Sequence, residues 1–225
     1  MVDHIANYFA DNQKLFLANT HPAVENLRRR VTAPESTFRT IASHKHNPSG
    51  EFDLLVIDEC STVSNADLLN ILQNTSFKLI VLVGDVFQIE SIRFGNWFNV
   101  VRSYIEPSSI FELTTPYRTS SDELIDFWTK VRTLDEGITE TIARNKYSTD
   151  LDASLFDNHS ADDIILALNY DGLYGINNIN RFLQAGNTSP AVPWGPASYK
   201  VGDPVLFADT NRFKPLIYNL SLIHI

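Results

Sequence analysis

The sequence has one cysteine, Cys60, one methionine, and no apolar run near the length that spans a bilayer, about 20 residues. A lone cysteine excludes an internal disulfide and suits a reducing compartment. The N-terminus, MVDHIANYF, is interrupted by acidic and polar residues and lacks a small-residue cleavage site, so no signal peptide is expected in it. A cytoplasmic chain without membrane contact is the expectation. Positive charge is scarce as well: 18 Lys and Arg face 27 Asp and Glu, a net charge of −9. Such a balance excludes a protein that grips nucleic acid over its whole surface, though not one with a local basic groove. Arg28-Arg29-Arg30 is the densest basic run, and a solvated helix end is its simplest reading.

What is present is the makeup of a globular protein, 44% hydrophobic and 20% charged. The first half alternates two periods. HIANYFA reads as the end of a helix and KLFLAN (Lys14 to Asn19) as a short strand. A helix follows from about Pro22, with Ala23, Leu27 and Val31 on one face. FRTIAS (Phe38 to Ser43) is a further strand candidate, HNPSGE a turn, and DLLVIDE a continuous apolar strand. A helix from Ala66 to about Gln73 presents Leu68, Leu69 and Leu72, and the strand KLIVLVGD (Lys78 to Asp85) comes next. Nearly unbroken apolar strands alternating with helices predict an α/β fold, a parallel sheet flanked by helices on both faces. In such sheets ligands sit at the carboxyl ends of the strands.

The second half is looser. The spacing of Leu124, Phe127, Trp128 and Val131 predicts a helix over Ser121 to Arg132, and residues 135–160 read as a polar linker or insertion. ADDIILALN reads as a strand, followed by a helix through Asn180 to Leu183. The proline- and glycine-rich SPAVPWGPASYKVGDPVLFAD reads as a small β element.

Chemistry concentrates at three strand ends. The apolar run Leu54 to Ile57 leads directly into two adjacent carboxylates, Asp58 and Glu59. Two like charges side by side repel unless something positive or reactive sits with them. A metal ion with its nucleotide, an acid/base pair and an ordinary strand end all remain open on that stretch alone. A hydrophobic strand ending in Asp-Glu fits a site where the first carboxylate holds Mg²⁺ and the second polarises an attacking water. One strand later, VGDVFQIE brings Gly84, a second strand-end carboxylate at Asp85, and the Gln88 amide; a turn with a capping aspartate is the plainer alternative. In FELTTPYRTSS, a strand over Ile110 to Leu113 would lead to Arg118, whose planar fork suits phosphate, although a surface ion pair is the commoner fate of a single arginine.

In order and spacing these segments resemble superfamily 1 helicases, particularly the RecD-like branch (exonuclease V alpha-subunit type). ANTHPAVENL resembles motif Ia, FRTIASH the segment before Walker B, LLVIDECSTVS motif II, VLVGDVFQIESI motif III and ELTTPYRTS motif IV. YKVGDPVLFADTNRFKPLIYN resembles the family's later β-rich stretch. The resemblance implies a RecA-like P-loop NTPase core, incomplete, over residues 1–118. Over 119–225 it implies part of a second α/β motor domain carrying a small β-rich insertion. It implies ATP and Mg²⁺ as cofactors, with Asp58 as the metal ligand, Glu59 as catalytic base, and Asp85, Gln88 and Arg118 around the nucleotide. Thr20, His21, Ser43 and His44 would lie along single-stranded DNA, and nuclease or repair-complex subunits, as in recombination and DNA repair, are candidate partners. Phe87 and Trp97 are candidates for base stacking, with core packing the favoured reading. His44 and His46 lack a cysteine or carboxylate to complete a metal set, and Cys60 reads as a small packed residue.

The chain departs from the family in one chemical respect: it contains no G-x-x-x-x-G-K-[ST] phosphate loop, and Lys14, the one lysine in the first 30 residues, follows no glycine. Motifs V and VI have no counterpart either. The expectation is a helicase fragment that is inactive alone. A non-catalytic DNA- or protein-binding module is the alternative, and a P-loop ATPase that uses no nucleic acid the weaker third reading.

Overall fold

The computed structural model describes residues 1–48, 50–88, 91, 93–117, 119–150, 165–195, 197–206 and 222–224. Contacts divide the chain into two compact units, Met1–Tyr117 and Arg118–Ile225.

The first unit runs α1 (Val2–Tyr8), β1 (Lys14–Ala18), α2 (His21–Arg30), β2 (Ser36–Thr40), α3 (Ile41–His46), β3 (Glu51–Ile57), α4 (Asn65–Asn74), β4 (Ser76–Leu82) and α5 (Trp97–Val101). Its four strands form one sheet in the order β2-β1-β3-β4, and every pairing is parallel. Alternation along the strands splits the core in two. Phe16 and Ala18 of β1 and Leu54 and Val56 of β3 join Ala6, Val24 and Leu27 of α1 and α2. Leu15, Leu17, Leu55 and Ile57 join Ile41 of α3 and Ile71 of α4. Both faces are thus covered, as the unbroken apolar strands predict, and each fully buried Leu or Ile contributes about 1.5–3 kcal/mol. The helices after β1 and β2 start on side-chain caps: Thr20 Oγ1 accepts from Ala23 N and Thr40 Oγ1 from Ser43 N. Ser64 caps α4 in the same way.

Lys14 is fully buried within β1, against every composition rule. Its Nζ donates to the carbonyls of Phe9 (2.7 Å), Ala10 (3.1 Å) and Asn12 (2.6 Å), and so satisfies the end of α1 and the turn after it.

Several sequence expectations need correction. FRTIAS is not one strand: β2 ends at Thr40, whose hydroxyl caps α3, so Ile41 and Ser43 are helical. On α4 the inward residue is Ile71, with Leu68 beside it, whereas Leu69 and Leu72 are exposed. No strand forms over Ile110–Leu113: Ile110 N donates to Pro107 O (3.1 Å) in a local turn, and Phe111 and Leu113 face solvent.

In the second unit, α6 (Asp122–Thr133) is capped by Ser121 and ends on Leu134 in the left-handed region. Inside the expected linker lies α7 (Ile138–Arg144), joined to α6 by Lys130 Nζ donating to Thr141 Oγ1 at 3.1 Å. Residues 165–169 are not a strand, and the rest of ADDIILALN lies outside the described residues. α8 (Ile176–Ala185) precedes the hairpin of β5 (Ala191–Trp194) and β6 (Ala197–Lys200). β7 (Pro204–Leu206) pairs antiparallel with β8 (Leu222–His224). Asp203 organises this corner, accepting from Lys200 N and from the side chains of Gln184 and Asn187.

Candidate functional site

Four parallel strands deliver their carboxyl ends to one edge of the sheet. Asn19, Thr20 and His21 follow β1, Ser43 follows β2, Asp58 and Glu59 follow β3, and Gly84, Asp85 and Gln88 follow β4. Adjacent strands are about 4.8 Å apart, so the sheet order β2-β1-β3-β4 lines these groups up. Ser43, Thr20 and His21 occupy one half of the edge and the carboxylates with Gln88 the other.

The acidic pair is fixed by backbone bonds. Asp58 N donates to Leu17 O (2.9 Å), which extends the β1–β3 ladder to the carboxylate itself. Val83 N donates to Ile57 O and Cys60 N to Val83 O, both at 2.9 Å, so the segment after β4 is closed against the Asp58-Glu59 turn. Between those bonds Glu59 takes a left-handed conformation, φ 55 and ψ 41. A Cβ at Gly84 would lie 2.8 Å from Phe98 Cε1 and 3.1 Å from Cys60 N, so glycine serves close approach here rather than a turn.

Burial raises the Asp58 carboxyl above its ordinary value, with the N–H of Glu59 on Asp58 Oδ1 (3.0 Å) and the Arg30 charge pulling the other way. Glu59 is raised too, first by burial and then by the negative charge of Asp58. Two carboxyls that resist ionisation side by side are what a cation would relieve. Mg²⁺ is commonly held by one or two carboxylates plus waters and phosphate oxygens, so this pair fits it without further protein ligands. Groups of three or more His, Cys, Asp or Glu fit to hold a metal are absent among the described residues. A glycine-rich cradle for the remaining phosphates is not among the 225 residues.

Asp85 and Gln88 share one turn: Asp85 Oδ1 accepts from Phe87 N (3.1 Å), and Gln88 N donates to Asp85 O (3.2 Å). The Gln88 side chain is exposed beside a small recess lined by Ser61, Val86, Gly95, Asn96, Phe98 and Asn99. Phe87 is exposed, contrary to the core reading, whereas Trp97 packs on the core and donates Nε1–H to Val63 O at 2.7 Å. Arg118 lies outside the described residues.

On the other half of the edge, Thr20 is exposed although its hydroxyl caps α2, His21 is half-buried, and Ser43 is exposed. His44 must be withdrawn as a surface contact. It is 1% exposed, its Nε2 is 2.7 Å from Thr75 Oγ1, and burial lowers its affinity for a proton. Cys60 is packed, with its Sγ 3.1 Å from Ile57 O and its thiol pushed up to about 12 by burial.

Sequence reasoning missed Asn19 and Thr62. Asn19 Nδ2 donates to Thr62 O (2.7 Å) and Thr62 Oγ1 (2.8 Å), and Thr62 Oγ1 donates to Glu59 O (2.8 Å). This chain of bonds ties the end of β1 to the acidic turn. Its one sequence signal is an amide placed directly after a buried strand.

A protein-family profile described as an AAA domain matches residues 4–150. No curated protein sequence matches the chain. Among solved structures, Bacteroides Pif1 bound to single-stranded DNA matches with a TM-score of 0.53 at 14% identity, covering 97% of this chain and 67% of that one. The Bacteroides Pif1 helicase in complex with ADP-AlF3 and single-stranded DNA matches with a TM-score of 0.55 at 16% identity, covering 96% and 61%. At such identities the likeness is one of fold, and this chain spans about three-fifths to two-thirds of those proteins.

Proposed function

The chain belongs to the AAA domain family, and on that footing we propose that it is part of an ATP-dependent superfamily 1 DNA helicase, coupling Mg-ATP hydrolysis to translocation on single-stranded DNA and to unwinding. The observation that carries this reading is the adjacent pair of half-buried Asp58 and exposed Glu59 at the end of β3, held by backbone bonds beside the Asp85–Gln88 turn. The Pif1 structures of the same fold contain single-stranded DNA, and one of them a nucleotide analogue, which favours the same ligands here. Both the RecD-like motifs and the Pif1-like fold lie within superfamily 1, and the branch proposed remains RecD-like.

In this reading residues 1–118 form the first motor domain and 119–225 part of the second. Bound Mg²⁺ supplies charge neutralisation at the terminal phosphates of the nucleotide. Asp58 would hold the ion, directly or through water. Glu59 would accept a proton from the attacking water at its carboxylate, a task for which a raised pKa is suited. Asp85 would add negative charge near the ion, and Gln88 would donate its amide N–H to a terminal phosphate oxygen. Arg118 would stabilise charge that develops on the phosphoryl group. Thr20, His21 and Ser43 would follow the DNA strand, leaving recognition tolerant of sequence. Repair or nuclease subunits are the partners such a motor would serve. Without a phosphate loop in these 225 residues, the chain alone is expected neither to hydrolyse ATP at a helicase rate nor to unwind duplex.

A second reading, a binding module that keeps the fold without turnover, is favoured by that missing loop and by the net charge of −9. Two titrations test the proposal. Labelled single-stranded DNA should bind at about 50 mM salt and weaken sharply by about 200 mM; no binding at low salt removes the DNA role. A fluorescent ATP analogue should bind more tightly with Mg²⁺ than with EDTA, and Asp58→Asn should erase the difference; no Mg²⁺ dependence in the native chain removes the nucleotide role.

A further inference from the structure

The 3₁₀ turn Cys60–Thr62 and the residues after it carry three hydroxyls, and two are occupied. Thr62 Oγ1 donates to Glu59 O, and Ser64 Oγ donates to Asp67 Oδ2 (2.7 Å) while accepting from Asp67 N. The third, Ser61 Oγ, is buried and has no hydrogen-bond partner in the protein, although Ser61 is only 7% exposed. A buried hydroxyl left unsatisfied costs about 1–3 kcal/mol, so a serine kept at this position calls for a partner.

The recess it lines shows which. The walls are Val86, Gly95 and Phe98 together with three carboxamides, Gln88, Asn96 and Asn99. The cavity volume is about 10 Å³, close to one water, and a buried water needs two to four polar partners. Asn96, at the N-cap of α5, makes no side-chain cap bond, which leaves its amide available as one of them.

We propose that Ser61 is the positioning residue for Gln88: through one water held in this recess, its hydroxyl fixes which end of the Gln88 carboxamide faces outward. The Ser61 O–H donates to the water, and the water donates to Gln88 Oε1. The Nε2–H₂ end is thereby turned toward the carboxylate side of the sheet edge, where it can donate to a phosphate oxygen. A carboxamide lacking a donor on its oxygen flips freely and presents the wrong end half the time. The purpose assigned to this orientation rests on the reading of Gln88 as a nucleotide-facing residue; the orientation itself does not.

The test is side-chain ¹⁵N relaxation on the full chain without nucleotide, with the exposed Gln73 as internal reference. In the native chain the Gln88 carboxamide order parameter should stand above about 0.6 and clearly above that of Gln73. In Ser61→Ala it should fall to the Gln73 value while the melting temperature does not drop, because the hydroxyl has no protein partner to lose. A Gln88 as mobile as Gln73 in the native chain, or one whose order survives Ser61→Ala, overturns the proposal. Because no nucleotide enters the measurement, a failed ATP titration counts against the function alone, and a failed relaxation result against the Ser61 water site alone.

Discussion

Replacing Asp58 with asparagine should make the protein more stable at neutral pH. The exchange keeps shape and keeps an Oδ1 to accept the Glu59 N–H, so only the charge is removed. In the folded chain burial raises the Asp58 pKa above the ordinary 3.8, despite the Glu59 N–H and the Arg30 charge. A carboxyl with a raised folded pKa binds its proton more tightly in the folded than in the unfolded state. Stability is therefore lost as pH climbs through that folded value, and above it the full loss is present. Each unit of pKa difference corresponds to about 1.4 kcal/mol, and single stabilising exchanges commonly yield about 0.5–2 kcal/mol. Asp58→Asn should gain that much at pH 7, with a melting temperature higher by about 1–8 °C. The gain should shrink as pH falls into the acid range where the native carboxyl takes up its proton. The assay is denaturant unfolding of both proteins at several pH values. A variant less stable than the native chain at pH 7, or a gain independent of pH, would show Asp58 to be a stabilising strand-end residue and refute the reasoning.

Other perturbations follow from geometry already described. Gly84→Ala puts a methyl group 2.8 Å from the Phe98 ring and 3.1 Å from the Cys60 amide nitrogen, and should destabilise the chain by about 1–3 kcal/mol in urea unfolding; a change within about 0.5 kcal/mol would mean the ring yields freely. Lys14→Met removes three charge-assisted bonds from carbonyls at the end of α1 and should cost about 2–4 kcal/mol. An unchanged or higher stability would show that desolvation of the ammonium already offsets those bonds.

The periodic segments told most of the fold. Leu54 to Ile57 read as a strand covered on both faces because nothing polar interrupts it, and its four residues are buried. Lys14 fell inside a correctly read strand, yet its burial was hidden, since three carbonyls brought by the turn after α1 exist only once the chain is folded. FRTIAS misled because Thr40 has strand propensity and also caps a helix, and tertiary packing of Ile41 decided for the helix. Ile110–Leu113 misled by local composition, for a strand needs a neighbour that composition does not report. At the site, the placement of Asp58, Glu59, Asp85 and Gln88 on neighbouring strand ends was legible from motif spacing. His44 was not, because on a helix as short as α3 one register separates the outward Ser43 from the inward His44.

Glu59 sits in a backbone shape that glycine or asparagine enters more easily than glutamate does. Folding by itself would therefore choose a different residue at 59, at a saving of about 1 kcal/mol or more. An exchange there to glycine should leave a protein at least as robust as the original and deprived only of its acid. A glycine variant that keeps its stability but loses Mg²⁺-dependent nucleotide binding is the outcome that the role proposed for Glu59 requires.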